Sequence, residues 1–491
     1  MRIRRSIPDN IPLGAQAILL VGLTLALYLV PTGKDAFIAW PVIALFYIYF
    51  FNSFFSPVRI RPNIPSYTSI ETLFLMFYYL LFINPYQLDL LGMSDLSRNT
   101  FLTFAYESGS NQALLAAGVG FVAFHLGLSC TERRQMLHAH PISQPVSDLS
   151  YYHGLSYIIL TLLAGFVLTY EIAGLQSADE GRYTQITNGG PIADGIYLLI
   201  SMLSIMAIAR AIATLCNRKN IDLPTVLSLV VVCYWSARIL VNGDRNTFFL
   251  IAIAAGGGVF TFIRRTSWIT LVACALFSII LYNAVEVIRK SQDRSFSNLV
   301  EKMLEERSNK EENSSSSFTI TTTTLRATFD IIPERMDYGY GKYKLIGFAG
   351  IVPLIRGSLL GSNNTLATTA DVLSYYMLGQ NAGWSVGSNL ITDIYMDFGV
   401  IGIPILMCLL GRFAGAIQQN AMRNPLSTKT ITFYLLVLAN FGELSRYALD
   451  FPVRMLVWTY LLFFVYEAIL GKGRGNRQGL VRMRASGRMS Q

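Results

Sequence analysis

Apolar runs of about 20 residues recur from one end of this chain to the other, and most of its charge falls between them. A run of that length lets an α-helix cross the hydrocarbon of a bilayer with every backbone polar group satisfied internally. Repeated many times, it leaves one broad class, a polytopic membrane protein. Composition agrees, since 53% of the 491 residues are hydrophobic and only 14% charged. Windows of about 19 residues predict spans near 12–30, 36–55, 68–83, 110–129, 152–172, 191–213, 223–241, 245–263, 267–287, 393–411, 430–448 and 452–470. The expected fold is therefore all-α, with about twelve transmembrane helices.

The positive-inside rule tests that count, because a wrong number of spans would scramble the alternation of basic loops. Arg2, Arg4 and Arg5 start inside. Arg59 with Arg61, Arg133 with Arg134, Arg218 with Lys219, Arg264 with Arg265, Arg423 with Lys429 and the basic tail then follow on the same side. Both termini are expected to be cytoplasmic, and the turn from Asn242 to Asn246 to face outward. The net charge of +9 sits in these short clusters and in the tail, which reads as cytoplasmic loops and excludes a nucleic-acid surface. Five cysteines, Cys130, Cys216, Cys233, Cys274 and Cys408, stand singly and predict neither a disulfide framework nor a cysteine-bound metal. The N-terminal MRIRRSIPDN has the charge order of a signal peptide, but no small-residue cleavage site follows, and a retained first helix is expected.

The organisation that results has helices 1 to 9 over 1–287, a large outer loop over 288–392, helices 10 to 12 over 393–471 and a basic cytoplasmic tail over 472–491. A loop of that size is expected to carry structure. Phe296, Leu299, Val300, Met303 and Leu304 mark one face of an interfacial amphipathic helix. NSSSSFTITTTT reads as a solvated connector, with a strand as the alternative. LIGFAGIVPLIRGSLLG is apolar but too short to span, and reads as interfacial or re-entrant. No internal repeat is evident, which weighs against transporter folds built from duplicated halves.

Charge converges on the outer face. Asp179, Glu180 and Arg182 lie in one loop, Arg238, Asp244 and Arg245 flank a tight turn, and Glu286, Arg289, Asp293 and Arg294 open the large loop. Glu443, Arg446, Asp450 and Arg454 follow at helical spacing, so they share one face if the helix continues past Asp450, which Pro452 opposes. A salt-bridge network is the bland alternative for this last set, and snorkelling the bland alternative for Arg238 and Arg245. Arginines from separate segments on one face instead suit a lipid phosphate or pyrophosphate, which the planar guanidinium holds bidentately. If pyrophosphate is a leaving group, those arginines stabilise the developing charge while a carboxylate deprotonates an attacking hydroxyl. His125, His138, His140 and His153 all belong to the second inner loop and its flanks, so histidine chemistry is not expected outside. No Asp-x-Asp motif supports a carboxylate-held cation, and no metal site is expected.

The hairpin ending in NGDRNTFFLI, the long outer loop and the following GSNLITDIYMDFGVIGI resemble the Wzy-type polymerases of lipid-linked oligosaccharide repeat units, including O-antigen and enterobacterial common antigen polymerases. The resemblance implies a GT-C-like bundle in the bacterial inner membrane, with its large periplasmic loop between helices 9 and 10. It implies a metal-independent glycosyltransferase, without cofactor, that moves a growing glycan from undecaprenyl pyrophosphate onto an incoming repeat unit. Undecaprenyl-pyrophosphate-linked oligosaccharide, membrane lipids and a chain-length-regulating co-polymerase are the implied partners. On this reading Arg238, Arg245 and Arg289 are pyrophosphate ligands, Arg182 and Arg356 are loop contacts, and the base is one of Asp244, Glu286 and Glu180. Arg446, Trp384 and Tyr395 are further candidate substrate contacts. The family pattern of an arginine followed after ten residues by glycine is not met at Arg182 or Arg335, where Ala193 and Ile346 stand instead. The rival O-antigen ligases use a periplasmic histidine, which this chain does not offer, and a lipid-linked oligosaccharide flippase needs no large outer loop.

Overall fold

The computed structural model describes residues 11–56, 58–61, 64–96, 107–137, 148–177, 190–242, 244–265, 267–274, 276–278, 317–352, 366–379 and 385–486. In chain order the helices are α1 (Leu13–Leu29), α2 (Ala36–Phe55), α3 (Ile70–Leu90), α4 (Ser110–Leu137), α5 (His153–Ile172), α6 (Gly190–Cys216), α7 (Leu223–Val241), α8 (Arg245–Ile263) and α9 (Trp268–Ser278). After the outer loop begins, α10 (Ser317–Ile331), α11 (Lys342–Ala349) and α12 (Thr369–Leu378) precede α13 (Leu390–Arg423), α14 (Thr428–Glu443) and α15 (Phe451–Ser486). A two-stranded antiparallel hairpin, β1 (Val58–Arg61) with β2 (Ile64–Ser66), is the small exception to an all-helical plan. Among the described residues, nine helices are long and apolar enough to cross a membrane. The three other expected spans correspond to α1 and α14, which are shorter, and to α9, which is described only as far as Ser278.

Two helices form the axis of the bundle. Most of the apolar windows of α4 and α6 are buried inside the protein, whereas α2, α5 and α7 leave about two thirds of theirs on the outside. The closest approach is between α4 and α13, where a Cβ at Gly411 would overlap the carbonyl oxygen of Phe124 and one at Gly127 the carbonyl oxygen of Cys408. Small residues let helix backbones meet where lipid provides no hydrophobic drive, so van der Waals contact must hold the pair. Almost all of α14 is buried, so a helix of 16 residues survives without a lipid-facing side.

Polar contacts segregate to the two ends. At one end Gly33 N–H donates to Ser108 O at 2.7 Å, Lys34 pairs with Asp89 at 2.5 Å, and Ser108 Oγ donates to Asp330 at 2.7 Å. At the other end Ser427 Oγ donates to Asp148 at 2.6 Å, Tyr434 OH to Thr68 O at 3.4 Å, and Lys429 pairs with Glu467 at 2.8 Å. The described helices reach these ends in alternation.

The Ser/Thr tract departs from its sequence reading. It enters α10, and Thr321, Thr322, Thr323, Thr324, Arg326 and Thr328 are buried there. The hydroxyls of Thr322, Thr323, Thr324 and Thr328 find carbonyls or another hydroxyl: Thr322 Oγ1 donates to Leu81 O at 2.7 Å, Thr323 Oγ1 to Thr319 O at 2.9 Å, Thr324 Oγ1 to Thr321 O at 2.8 Å, Thr328 Oγ1 to Thr324 O at 2.7 Å, and Thr328 also meets Thr392 Oγ1 at 3.0 Å. A threonine that bonds back to its own helix presents a methyl group to its neighbours, and packing then outweighs a helix-propensity deficit of a few tenths of a kcal/mol. The start of the predicted re-entrant segment is helical as α11, and its remainder from 353, like the amphipathic stretch at 296–306, lies outside the described residues.

Candidate active site

The turn between α7 and α8 shows why the segment NGDRN is built as it is. Asp244 precedes α8 and caps it, with Oδ1 accepting from Asn246 N–H at 3.0 Å and Thr247 N–H at 3.3 Å. Its other oxygen, Oδ2, accepts from the hydroxyl of Tyr197 on α6. Both oxygens are thus engaged, and the side chain is buried. Burial pushes the Asp244 carboxyl above the usual carboxylate range, while the bonds from Tyr197, Thr247 and Asn246 oppose that rise. Arg245 follows at the first position of α8 and is also buried, 4% exposed. A buried guanidinium in that place is a site hypothesis by default.

A second segment reaches the same place. α14 ends at Glu443 and tightens into a single 3-10 turn, Leu444–Arg446, before Tyr447 turns extended and α15 begins at Phe451. The helix thus does not continue through Glu443, Arg446, Asp450 and Arg454, so the four do not share one helical face, and Pro452 stands at the start of a new helix. The break swings Arg446 toward the α7–α8 turn, where its Nη1 donates to Asn246 Oδ1 at 3.2 Å. Glu443, buried, feels the charges of Arg446, Asp244 and Arg245. Two arginines and two carboxylates from two hairpin turns converge at one end of the bundle. With little water to screen them, their effect on a phosphate is much stronger than at an open surface.

Arg238 lies beside this cluster with a different partner. It forms an ion pair with Glu171 and stacks over Trp235 at 4.9 Å and Tyr170 at 5.1 Å. Those rings in turn pack on Tyr197, at 5.6 Å for Trp235 and 6.0 Å for Tyr170. Arg238 thus buttresses the aromatic wall that holds the Asp244 partner. Tyr395 is placed elsewhere, under α10, where its hydroxyl donates to Ile332 O at 3.3 Å and its ring packs on Phe329 at 4.4 Å. Glu180, Arg182, Glu286, Arg289, Arg356 and Trp384 lie outside the described residues.

A buried ammonium escaped the sequence reading. Lys344 of α11 meets Asp393 at 2.5 Å and Asp397 at 3.4 Å, both on α13. Asp397 also caps α11, accepting from the N–H groups of Gly341 at 3.1 Å and Lys344 at 3.0 Å. Asp393 accepts from Leu449 N–H at 2.8 Å, which ties this group to the segment that carries Arg446. Asp450 lies against Gly347, and burial followed by the negative charge of Asp393 pushes its carboxyl up, against Lys344 and Arg454. A signal was present in GSNLITDIYMDFG, since two aspartates four residues apart share a helical face inside an apolar segment. Just beyond them Gly399, with φ 64° and ψ −160°, interrupts α13, a conformation that only glycine adopts freely.

A family model described as O-antigen polysaccharide polymerase Wzy matches residues 15–472. No curated protein and no solved structure matches the chain.

Proposed function

Because the chain belongs to the O-antigen polysaccharide polymerase Wzy family, to which nearly its whole length matches, we propose that the Asp244 cluster is where two lipid-linked repeat units are joined. The observation that carries this reading is the convergence of Arg245 and Arg446, from separate turns, upon Glu443 and Asp244. A hydroxyl oxygen of the acceptor sugar attacks the anomeric carbon of the donor glycan. The bond from that carbon to the pyrophosphate oxygen breaks, and undecaprenyl pyrophosphate departs with the electron pair. Arg245 and Arg446 hold the pyrophosphate and stabilise its growing charge. The hydroxyl proton passes to a carboxylate. Among the described candidates Glu443 takes that role, since both oxygens of Asp244 are committed to capping and to Tyr197. Asp244 then positions Arg245 by fixing the start of α8.

On the same reading the cluster faces the periplasm, the protein is a GT-C-like enzyme of the inner membrane, no metal takes part, and a co-polymerase sets chain length. Positive-inside alternation supports the orientation. Arg289 belongs to the reading as a further pyrophosphate ligand, Arg182 and Arg356 as loop contacts, and Trp384 as a sugar contact.

The test is to incubate purified protein with a lipid-linked repeat unit and resolve the glycans. A ladder of longer chains is expected from the wild type, and Glu443→Gln is expected to bind the substrate and form no ladder. Substrate that crosses between leaflets of a vesicle without any ladder would overturn the reading in favour of a transporter.

A further inference from the structure

At the opposite end of the bundle, α6 finishes in a turn that places Lys219 over the helix terminus. Arg218 N–H donates to Leu215 O at 3.0 Å and Lys219 N–H to Thr214 O at 3.1 Å. This paired closure normally uses glycine in the left-handed position. Here Arg218 occupies it, with φ 53°, a conformation that costs a non-glycine residue of order 1 kcal/mol or more. Three residues on, Asp222 stands at the capping position of α7 and makes no capping bond. An aspartate there ordinarily contributes about 1 kcal/mol by capping. Its carboxylate instead turns toward His153 Nδ1, at 3.4 Å, and Arg210 Nη2, at 4.0 Å. Both oxygens are buried and neither has a hydrogen-bond partner.

These groups line a cavity of about 350 Å³, together with Ser150 and Asn220. Arg210 is a fixed wall, buried and held by Ser156 Oγ at 3.0 Å, Thr428 Oγ1 at 3.2 Å and Leu149 O at 3.2 Å. Lys219 is exposed and free to swing. The cavity therefore offers a negative pole that lacks a donor and positive groups within one head group's reach. Burying a carboxylate without a hydrogen bond is costly, and a donor supplied by a ligand removes that cost. The helix termini around it lie where apolar spans end, at head-group depth.

We propose that this cavity binds a phosphate that carries a primary ammonium, supplied as the head group of a membrane phospholipid. The ammonium donates to Asp222, and the phosphate is met by Lys219 and His153. The site is separate from the Asp244 cluster and does not depend on the reading given to it.

The experiment uses the full-length protein in detergent and native mass spectrometry with phosphatidylethanolamine or phosphatidylcholine of identical acyl chains. Retention of the ethanolamine lipid is expected to exceed that of the choline lipid by about ten-fold, since a quaternary ammonium has no N–H to give. Lys219→Ala, at an exposed position, is expected to weaken retention of both, and Asp222→Asn to erase the preference. Equal retention of the two lipids by the wild type would overturn the proposal, as would an unchanged preference in Asp222→Asn. Free phosphoethanolamine forms the third arm. If it displaces the lipid at equal concentration, the lipid source is overturned; if it does not, the acyl-anchored source stands.

Discussion

On the proposed reading Arg245 and Arg446 serve the site, and Arg238 serves the fold. Both lie within reach of a carboxylate, as does Arg238, but Arg238 is spent on Glu171 and on two aromatic faces. Arg245→Lys keeps the charge and loses the planar fork. Polymer synthesis in that variant is expected to fall by about ten- to a hundred-fold, read from the rate of ladder formation at saturating substrate. Arg238→Lys in the same assay is expected to lose less. Asp450 makes a prediction of another kind. Unfolded, it ionises in the ordinary aspartate range, while the folded protein holds its proton to higher pH because of burial and Asp393. Its contribution to stability is therefore largest at acid pH and is lost as pH rises through the raised value. Asp450→Asn is expected to gain thermal stability over the wild type at mildly alkaline pH and to match it at acid pH, as measured by thermal denaturation in detergent.

Among the elements, the α4 and α13 pair is the least tolerant of change. Gly411→Leu forces apart two backbones that touch through a carbonyl, an overpacking beyond the usual 1–3 kcal/mol of a core insertion. The variant is expected to be lost from the monodisperse peak in size-exclusion chromatography, whereas Gly165→Leu, which meets no neighbour within 4 Å, is expected to elute like the wild type. Element by element, the apolar spans were legible in the sequence because bilayer thickness fixes their length and basic loops fix their order. The α10 helix was not, since the same threonines suit a solvated connector until a partner helix supplies carbonyls and a packing face. Lys344 was missed for a related reason: its carboxylates sit on α13, some 50 residues away, and pairing at that separation leaves no periodic trace. The convergence of Asp244, Arg245 and Arg446 on one face was legible, because alternation alone puts both turns at the same end. The role of Asp244 as a cap became visible only with the backbone around it.

For the whole molecule, the reading predicts that glycosyl transfer needs no divalent cation. A chelator added to the purified protein and substrate is expected to leave the ladder unchanged, and loss of synthesis that added magnesium restores would count against it. Orientation is tested by cysteine labelling from outside spheroplasts, in a variant freed of its native cysteines. A cysteine at Asn242 is expected to react and one at Asn220 to stay protected. The architecture also bears on how such a protein diversifies. The helices α11 and α12 are fastened to the first turns of α13, through Asp397 to the start of α11 and through Thr369 to Asp393, and those turns are tied in their own right to α4, through Ile391 against Gly120, and to the segment before α15, through Leu449 N–H to Asp393. The described parts of the outer segment, α11, α12 and the start of α13, are thus woven into the membrane framework, with Asp450 against Gly347 and Trp458 Nε1 donating to Ile351 O at 3.1 Å as further ties. Exchanging α11 and α12 between relatives would therefore have to carry the start of α13 and the segment before α15 with them, so outer segment and membrane framework change together.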